Sequence, residues 1–345
     1  MIGGEQNPKP AQPHFLSLPD LAARPAGGAV VWANDDLFAE RENLINPRPA
    51  EFRPATFGHK GQIYDGWETR RRRGTGPDDC DRVIVRLAAP AIVGGVVVDT
   101  AWFTGNYPPQ ISVEAACVEG YPTVEELAHQ TDWSTIVERA GVNGDTRNPF
   151  KVNSSRRWTH VRLSIYPDGG VARFRVHGEG VLDPRLADGL PMDLAAMENG
   201  ARVTACSNMF YSSPNNLLLP GTARTMGEGW ETSRRRDDGN DWVQVRLAAH
   251  GVLTAAELDT SYFVGNAPGA ARLMGRDDNG EWFELLGTTT LQPDTRHRFL
   301  LAAAPPVTDA RLDIYPDGGM ARLRLFGRLT DQGLHSLLQR WAASA

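Results

Sequence analysis

Lysine is almost missing from this chain. Of 36 basic residues only Lys9, Lys60 and Lys151 are lysines, so positive charge here means arginine. Cysteine is as rare: Cys80, Cys117 and Cys206 are odd in number, far apart and without a CxxC pair. That excludes a disulfide framework and reads as buried or incidental thiols in a reducing compartment. No apolar stretch approaches the ~18 residues that a membrane helix needs. The start, Met1-Ile2-Gly3-Gly4-Glu5-Gln6, lacks the basic head and apolar run of a signal peptide. The expected setting is therefore cytoplasmic, away from any membrane. A formal charge of −6 argues against general affinity for nucleic acid. The eight histidines make no HxH or HExxH pattern, so no local metal site is expected and the cofactor question stays open. P-loop, Rossmann and GxSxG signatures are absent too.

What the chain does have is the same text twice. Asp65-Gly66-Trp67-Glu68-Thr69, leading into Arg70 to Arg73, returns as Gly229-Trp230-Glu231-Thr232-Ser233 before Arg234 to Arg236. Val85-Arg86-Leu87-Ala88-Ala89 returns as Val245-Arg246-Leu247-Ala248-Ala249. Val98-Asp99-Thr100 with Phe103-Thr104-Gly105-Asn106 returns as Leu258-Asp259-Thr260 with Phe263-Val264-Gly265-Asn266. Ile165-Tyr166-Pro167-Asp168-Gly169-Gly170 returns as Ile314-Tyr315-Pro316-Asp317-Gly318-Gly319. The offset is far too long for a solenoid repeat, so each copy is expected to be a domain with its own core.

Within each copy the pattern is that of strands. Val83 to Leu87 has high β propensity, Val96-Val97-Val98 reads as buried, and His160 to Ile165 alternates with period two. The Pro-Asp-Gly-Gly turn between alternating runs predicts a hairpin in each copy. Helical periodicity is confined to a short stretch in Tyr121 to Leu127 and to Thr330 to Trp341. In the second of these Leu334, Leu337, Leu338 and Trp341 share one face. Wound α/β sheets need helices between strands, and these are missing. The expected fold is all-β, with a β-sandwich or jelly roll in each of the two tandem copies. The divisions are an N-terminal arm (1–28), a first repeat (29–182), a connector (183–200), a second repeat (201–328) and a C-terminal helix (329–345).

Four consecutive arginines stand out. In an extended segment alternate side chains face opposite ways, so one pair is free to grip an anion while the other pairs with acids. Guanidinium binds a planar carboxylate through two parallel hydrogen bonds; the competing reading is a structural ion-pair network. Among the repeated carboxylates, Asp168 and Asp317 sit where Asp braces a turn. Asp99 and Asp259 end strands, where an acid serves the fold or a pocket. His160 has Asp309 as its counterpart, and such asymmetry marks a candidate for chemistry confined to one copy.

The blocks Asp65 to Arg73, Val83 to Leu87 and Val98 to Pro109, with Trp158 to Leu163 running into Tyr166 to Gly170, closely resemble the allantoicase family across about residues 30 to 328. The resemblance implies two tandem jelly-roll β-sandwich domains of galactose-binding type in a homo-oligomer, trimer or hexamer, that hydrolyses allantoate to ureidoglycolate and urea in purine breakdown. Allantoate carries one carboxylate and two ureido groups on a single carbon. Cleavage then asks for a clamp on the carboxylate and for proton transfers to a leaving urea nitrogen and from water. On that resemblance Glu68, Asp99 and His160 are the catalytic candidates, and Arg71, Arg73, Thr104, Asn106 and Trp67 the substrate-binding ones. The second copy departs from the family pattern. Ser261-Tyr262-Phe263-Val264 stand where a His and a Lys are usual, and Asp309 stands in place of a His. Two alternatives are a relative acting on another ureido compound and a sugar-binding jelly roll with Trp67, Trp102 and Tyr107 as stacking aromatics. Arginines clustered for an anion weigh against the lectin.

Overall fold

The computed structural model describes residues 13–73, 76–129 and 132–345. One strand organises each unit. Asp81–Asp99 has an apolar residue at nearly every second position, and these (Val83, Val85, Leu87, Ala91, Val93) are buried while Arg82 and Arg86 stay exposed. Such alternation commits one face to a core. The strand is too long for one sheet, and its pairing breaks between Arg86 and Ala91. Before the break it lies in a layer with Ala29–Ala33, Arg157–Tyr166, Gln110–Ala116 and Ser134–Gly141. After it, Gly95–Asp99 pair with Arg147–Lys151, and Ala91–Asp99 with Arg173–Gly180, in the facing layer. Trp67, Ile111, Val161, Leu163, Phe174 and Val176 fill the space between, all at 0% exposure.

The second unit repeats the plan. Asp241–Asp259 pairs first with Val307–Tyr315 and then with Arg322–Leu329, and Trp230, Leu258, Leu312 and Leu323 take the matching core positions. The result is two all-β sandwiches in tandem, as expected, with two α-helices among the described residues. Val124–Ala128 is the short one, held by a capping box between Thr123 and Glu126. Among the described residues no helix is long and apolar enough to cross a membrane.

Three sequence expectations change. The Pro-Asp-Gly-Gly turn is not a hairpin: Arg157–Tyr166 pairs mainly with Asp81 to Arg86 and Arg173–Gly180 with Ala91 to Asp99, the two sharing only Ala91 and Ile92, so the turn carries the chain from one layer to the other. Between them Gly170-Val171 pairs with Trp67-Glu68 instead. Local alternation specifies strands but not partners, and the two flanking runs bury their apolar faces in different layers. The described part of the expected arm is not free either. Phe15, Leu21, Ala22 and Ala26 are buried in the first unit, while residues 1–12 lie outside the described residues. The C-terminal helix Asp331–Ala343 is capped by Thr330, but only part of its apolar face is covered. Leu337 packs on Leu182 and Ala187, whereas Leu338 is exposed. Its end docks on the first unit, where Trp341 lies 3.6 Å from the Arg157 guanidinium and accepts from it through its carbonyl at 2.6 Å.

Candidate active site

The turn at Gly169-Gly170 gathers several of the candidates at one end of the first sandwich. Trp67-Glu68 is a two-residue strand because Gly170-Val171 pairs with it. A Cβ on Gly170 would come within 2.0 Å of the Phe103 ring, so only glycine lets the backbone settle there. The Gly170 amide donates to the Asn106 carbonyl at 2.7 Å, which fixes the Thr104-Gly105-Asn106 loop over the pair. Asn106 Nδ2 then donates to Glu68 Oε1 at 2.8 Å. Glu68 is buried, and its Oε2 has no partner among the described residues. Burial pushes its carboxyl above the ordinary value, with the Asn106 bond pulling the other way. The second unit builds the same pair, Asn266 to Glu231 at 2.6 Å, but leaves Glu231 only half-buried.

The arginine run divides by alternation. Arg70 binds Asp35 through both its backbone amide and its guanidinium. Arg72 takes the fully buried Asp81 at 2.6 Å, and its amide donates to Asp168 Oδ2 at 2.5 Å. Arg235 repeats this with Asp241 at 2.8 Å and Asp317 at 2.6 Å. The turn acids thus tie the arginine run to the Pro-Asp-Gly-Gly turn. Arg71 and Arg73 are exposed, and neither makes a side-chain hydrogen bond or ion pair among the described residues. Thr104 is exposed at the same end. Asp99 is half-buried there and accepts from the Ala101 amide at 2.9 Å, closing the strand end.

Two candidates stand elsewhere. Trp67 has 0% exposure and spends its indole N–H on the Asp35 carbonyl at 2.7 Å, so its ring belongs to the core and not to a ligand surface. His160 is six residues upstream of Tyr166 on Arg157–Tyr166, about 20 Å along the strand from the Gly170 turn. There it lies opposite Arg86 and Ala116, at the end where Asp81–Asp99 bends. The structure does not bring it together with Glu68 within one chain. The ring is 3% exposed, with Nδ1 2.9 Å from Thr159 Oγ1, and burial together with Arg86 lowers its pKa to about 4.

Sequence reasoning passed over Arg173 and Asp35. Arg173 is fully buried, donates to Asp65 Oδ2 at 2.8 Å and to the Arg48 carbonyl at 2.9 Å, and so holds the 48–65 segment against the site. Its recurrence as Arg322 after the second Gly-Gly turn was the available signal. Asp35, next to Asp36 and far from the run it anchors, carried none. Among the described residues the acids with ligand-like spacing are Asp36, Glu40 and Glu42. Lys60 Nζ lies 3.1 Å from Glu40 and already supplies the cation.

The model of the allantoicase repeat matches this chain twice, at residues 19–181 and 192–330, which are the two sandwiches. The chain belongs to the allantoicase family. A probable allantoicase of Nocardia farcinica is 62% identical over 316 residues, covering 91% of this chain and 95% of the relative. One of Streptomyces coelicolor is 50% identical, covering 94% and 89%. The crystal structure of allantoicase from Saccharomyces cerevisiae superposes with a TM-score of 0.78 at 34% identity, covering 91% of this chain and 96% of that one. Against the allantoicase pattern, the altered positions of the second unit have their own geometry. Tyr262 holds φ 70°, as Trp102 does at φ 69°, each with its amide donated to an Asp at the facing turn. Val264 is exposed, and Asp309 is buried between Arg246 at 2.8 Å and Arg276 at 2.7 Å.

Proposed function

We propose that the loop end of the first unit hydrolyses allantoate to ureidoglycolate and urea. One observation carries the reading: a buried carboxyl, Glu68, kept above its ordinary pKa, stands in a segment that continues into Arg71 and Arg73, and among the described residues its second oxygen and both guanidiniums are unpaired. Arg71 and Arg73 hold the substrate carboxylate. Asn106 spends its N–H₂ on Glu68 and keeps its side-chain oxygen for a ureido N–H; Thr104 offers a hydroxyl beside it. Protonated Glu68 delivers its proton to the departing urea nitrogen while the remaining ureido nitrogen pushes electrons toward the carbon. Water adds there and loses a proton to Asp99 at the same end. His160, remote and neutral, serves the fold in this scheme.

Membership in the allantoicase family supports the substrate, and the half-buried Glu231 supports assigning the reaction to the first unit alone. A cytoplasmic homo-oligomer, trimer or hexamer, completes the proposal. Exposed apolar side chains at both loop ends, among them Phe52, Phe57, Phe210 and Tyr211, support burial against another copy. The test is urea release from allantoate by the purified protein, with and without chelation. Glu68→Gln is expected to lower kcat by about 10²–10⁴-fold. Wild-type kcat in a folded Glu68→Gln protein would sink the assignment.

A further inference from the structure

At the opposite end of the second unit, the C-terminal helix Asp331–Ala343 roofs a cavity of about 240 Å³. Arg202 and Arg246 come from adjacent strands, Arg340 and Ser336 from the helix, and Glu179 from the first unit. Arg202 and Arg246 are directly opposite each other across an antiparallel pair. Like charges placed so repel and weaken the sheet. The fold does not require this, since the first unit sets Ala29 opposite Arg86 at the same register.

Neighbouring acids do not balance these arginines. Glu179 is shared, its Oε1 3.1 Å from Arg202 and its Oε2 3.0 Å from Arg340. Asp309 is shared between Arg246 and Arg276, and it also accepts from Thr308. Four guanidiniums therefore divide two carboxylates. The last wall residue with a polar side chain, His250, has Nδ1 2.6 Å from Thr330 Oγ1, while its buried Nε2 makes no hydrogen bond among the described residues, the exposed Asp278 lying 3.1 Å away. The helix packs tightly over these charges. Its Gly333 is so close to the strand that a Cβ would lie 2.0 Å from the His250 carbonyl oxygen.

We propose that this cavity binds a small dianion, a phosphate or a short dicarboxylate, among the guanidiniums of Arg202, Arg246 and Arg340. Three guanidiniums and one carboxylate line the cavity, so two oxyanion charges match the excess there, and planar or tetrahedral oxyanions suit guanidinium forks. The bound ion would join the helix to the second sandwich and to Glu179 of the first. The proposal does not rest on the assignment of the catalytic end, where the expected ligand carries a single carboxylate.

The experiment is calorimetric titration of the full chain with inorganic phosphate and, separately, with succinate, which tells the two sources apart. Saturable binding of one of them is expected, weakened about tenfold or more by Arg202→Ala, the loss of a hydrogen bond to a charged group. That variant installs the residue the first unit already carries, so folding and urea release stay as in the wild type. Glu179→Gln removes the competing carboxylate and is expected to tighten binding. Arg71→Ala is expected to leave it unchanged. Absence of binding by both anions, equal binding by Arg202→Ala, or loss of binding in Arg71→Ala would each overturn the proposal.

Discussion

Acid should loosen this protein through His160. The ring sits in the first sandwich at 3% exposure, facing the Arg86 guanidinium across the strand pair and Ala116 on the other side. Among the described residues its side-chain hydrogen-bond partner is Thr159 Oγ1, and no carboxylate pairs with it. Its ordinary pKa of 6.5 falls to about 4, first because burial penalises the charged ring and second because Arg86 repels it. Between those two values the unfolded chain takes up a proton that the folded chain refuses. The contribution of His160 is therefore intact above 6.5 and is lost as pH falls toward 4. Worked between pH 7 and pH 5, the loss from this one residue is about 2 kcal/mol. Urea unfolding followed by tryptophan fluorescence at both pH values gives the wild-type slope. His160→Gln keeps a hydrogen-bonding group for Thr159 but cannot titrate, so its stability should fall by about 2 kcal/mol less over the same interval. Equal losses in the two proteins would refute the reasoning.

Other outcomes follow from the loop end. Arg72→Ala leaves the buried Asp81 with Asn34 as its side-chain partner and should cost about 2 kcal/mol, discounted because Arg72 is itself a third exposed. Arg71→Ala should change stability by no more than about 0.5 kcal/mol while raising KM for allantoate, so paired thermal melts and kinetics separate anchoring from binding arginines. Gly170→Ala and Gly319→Ala each push a methyl to within 2.0 and 1.9 Å of a buried phenylalanine ring and should cost about 1–3 kcal/mol in denaturant titrations. If Glu68 acts as the acid, kcat should fall as pH rises through its elevated pKa, and the limb should vanish from the pH profile of Glu68→Gln.

The duplication, the strand character of each block and the alternation that pairs Arg70 and Arg72 with acids were legible in the residues themselves. These are local or repetitive facts: alternation of period two assigns faces, and a repeated block announces a second core. Pairing and distance were not legible. Alternation on both sides of Pro167-Asp168-Gly169-Gly170 looks the same whether the runs pair or part, and only packing in two layers sends them mainly to different stretches of Asp81–Asp99. Trp67 and His160 belong to residue types that serve sites and cores alike. Tertiary contacts decided both, closing the indole over Asp35 and carrying the imidazole to the far end of its strand. Glu68 shows the two levels together. Its type and repetition marked it in the sequence, but only burial beneath the Asn106 loop gives its carboxyl a pKa above the ordinary value.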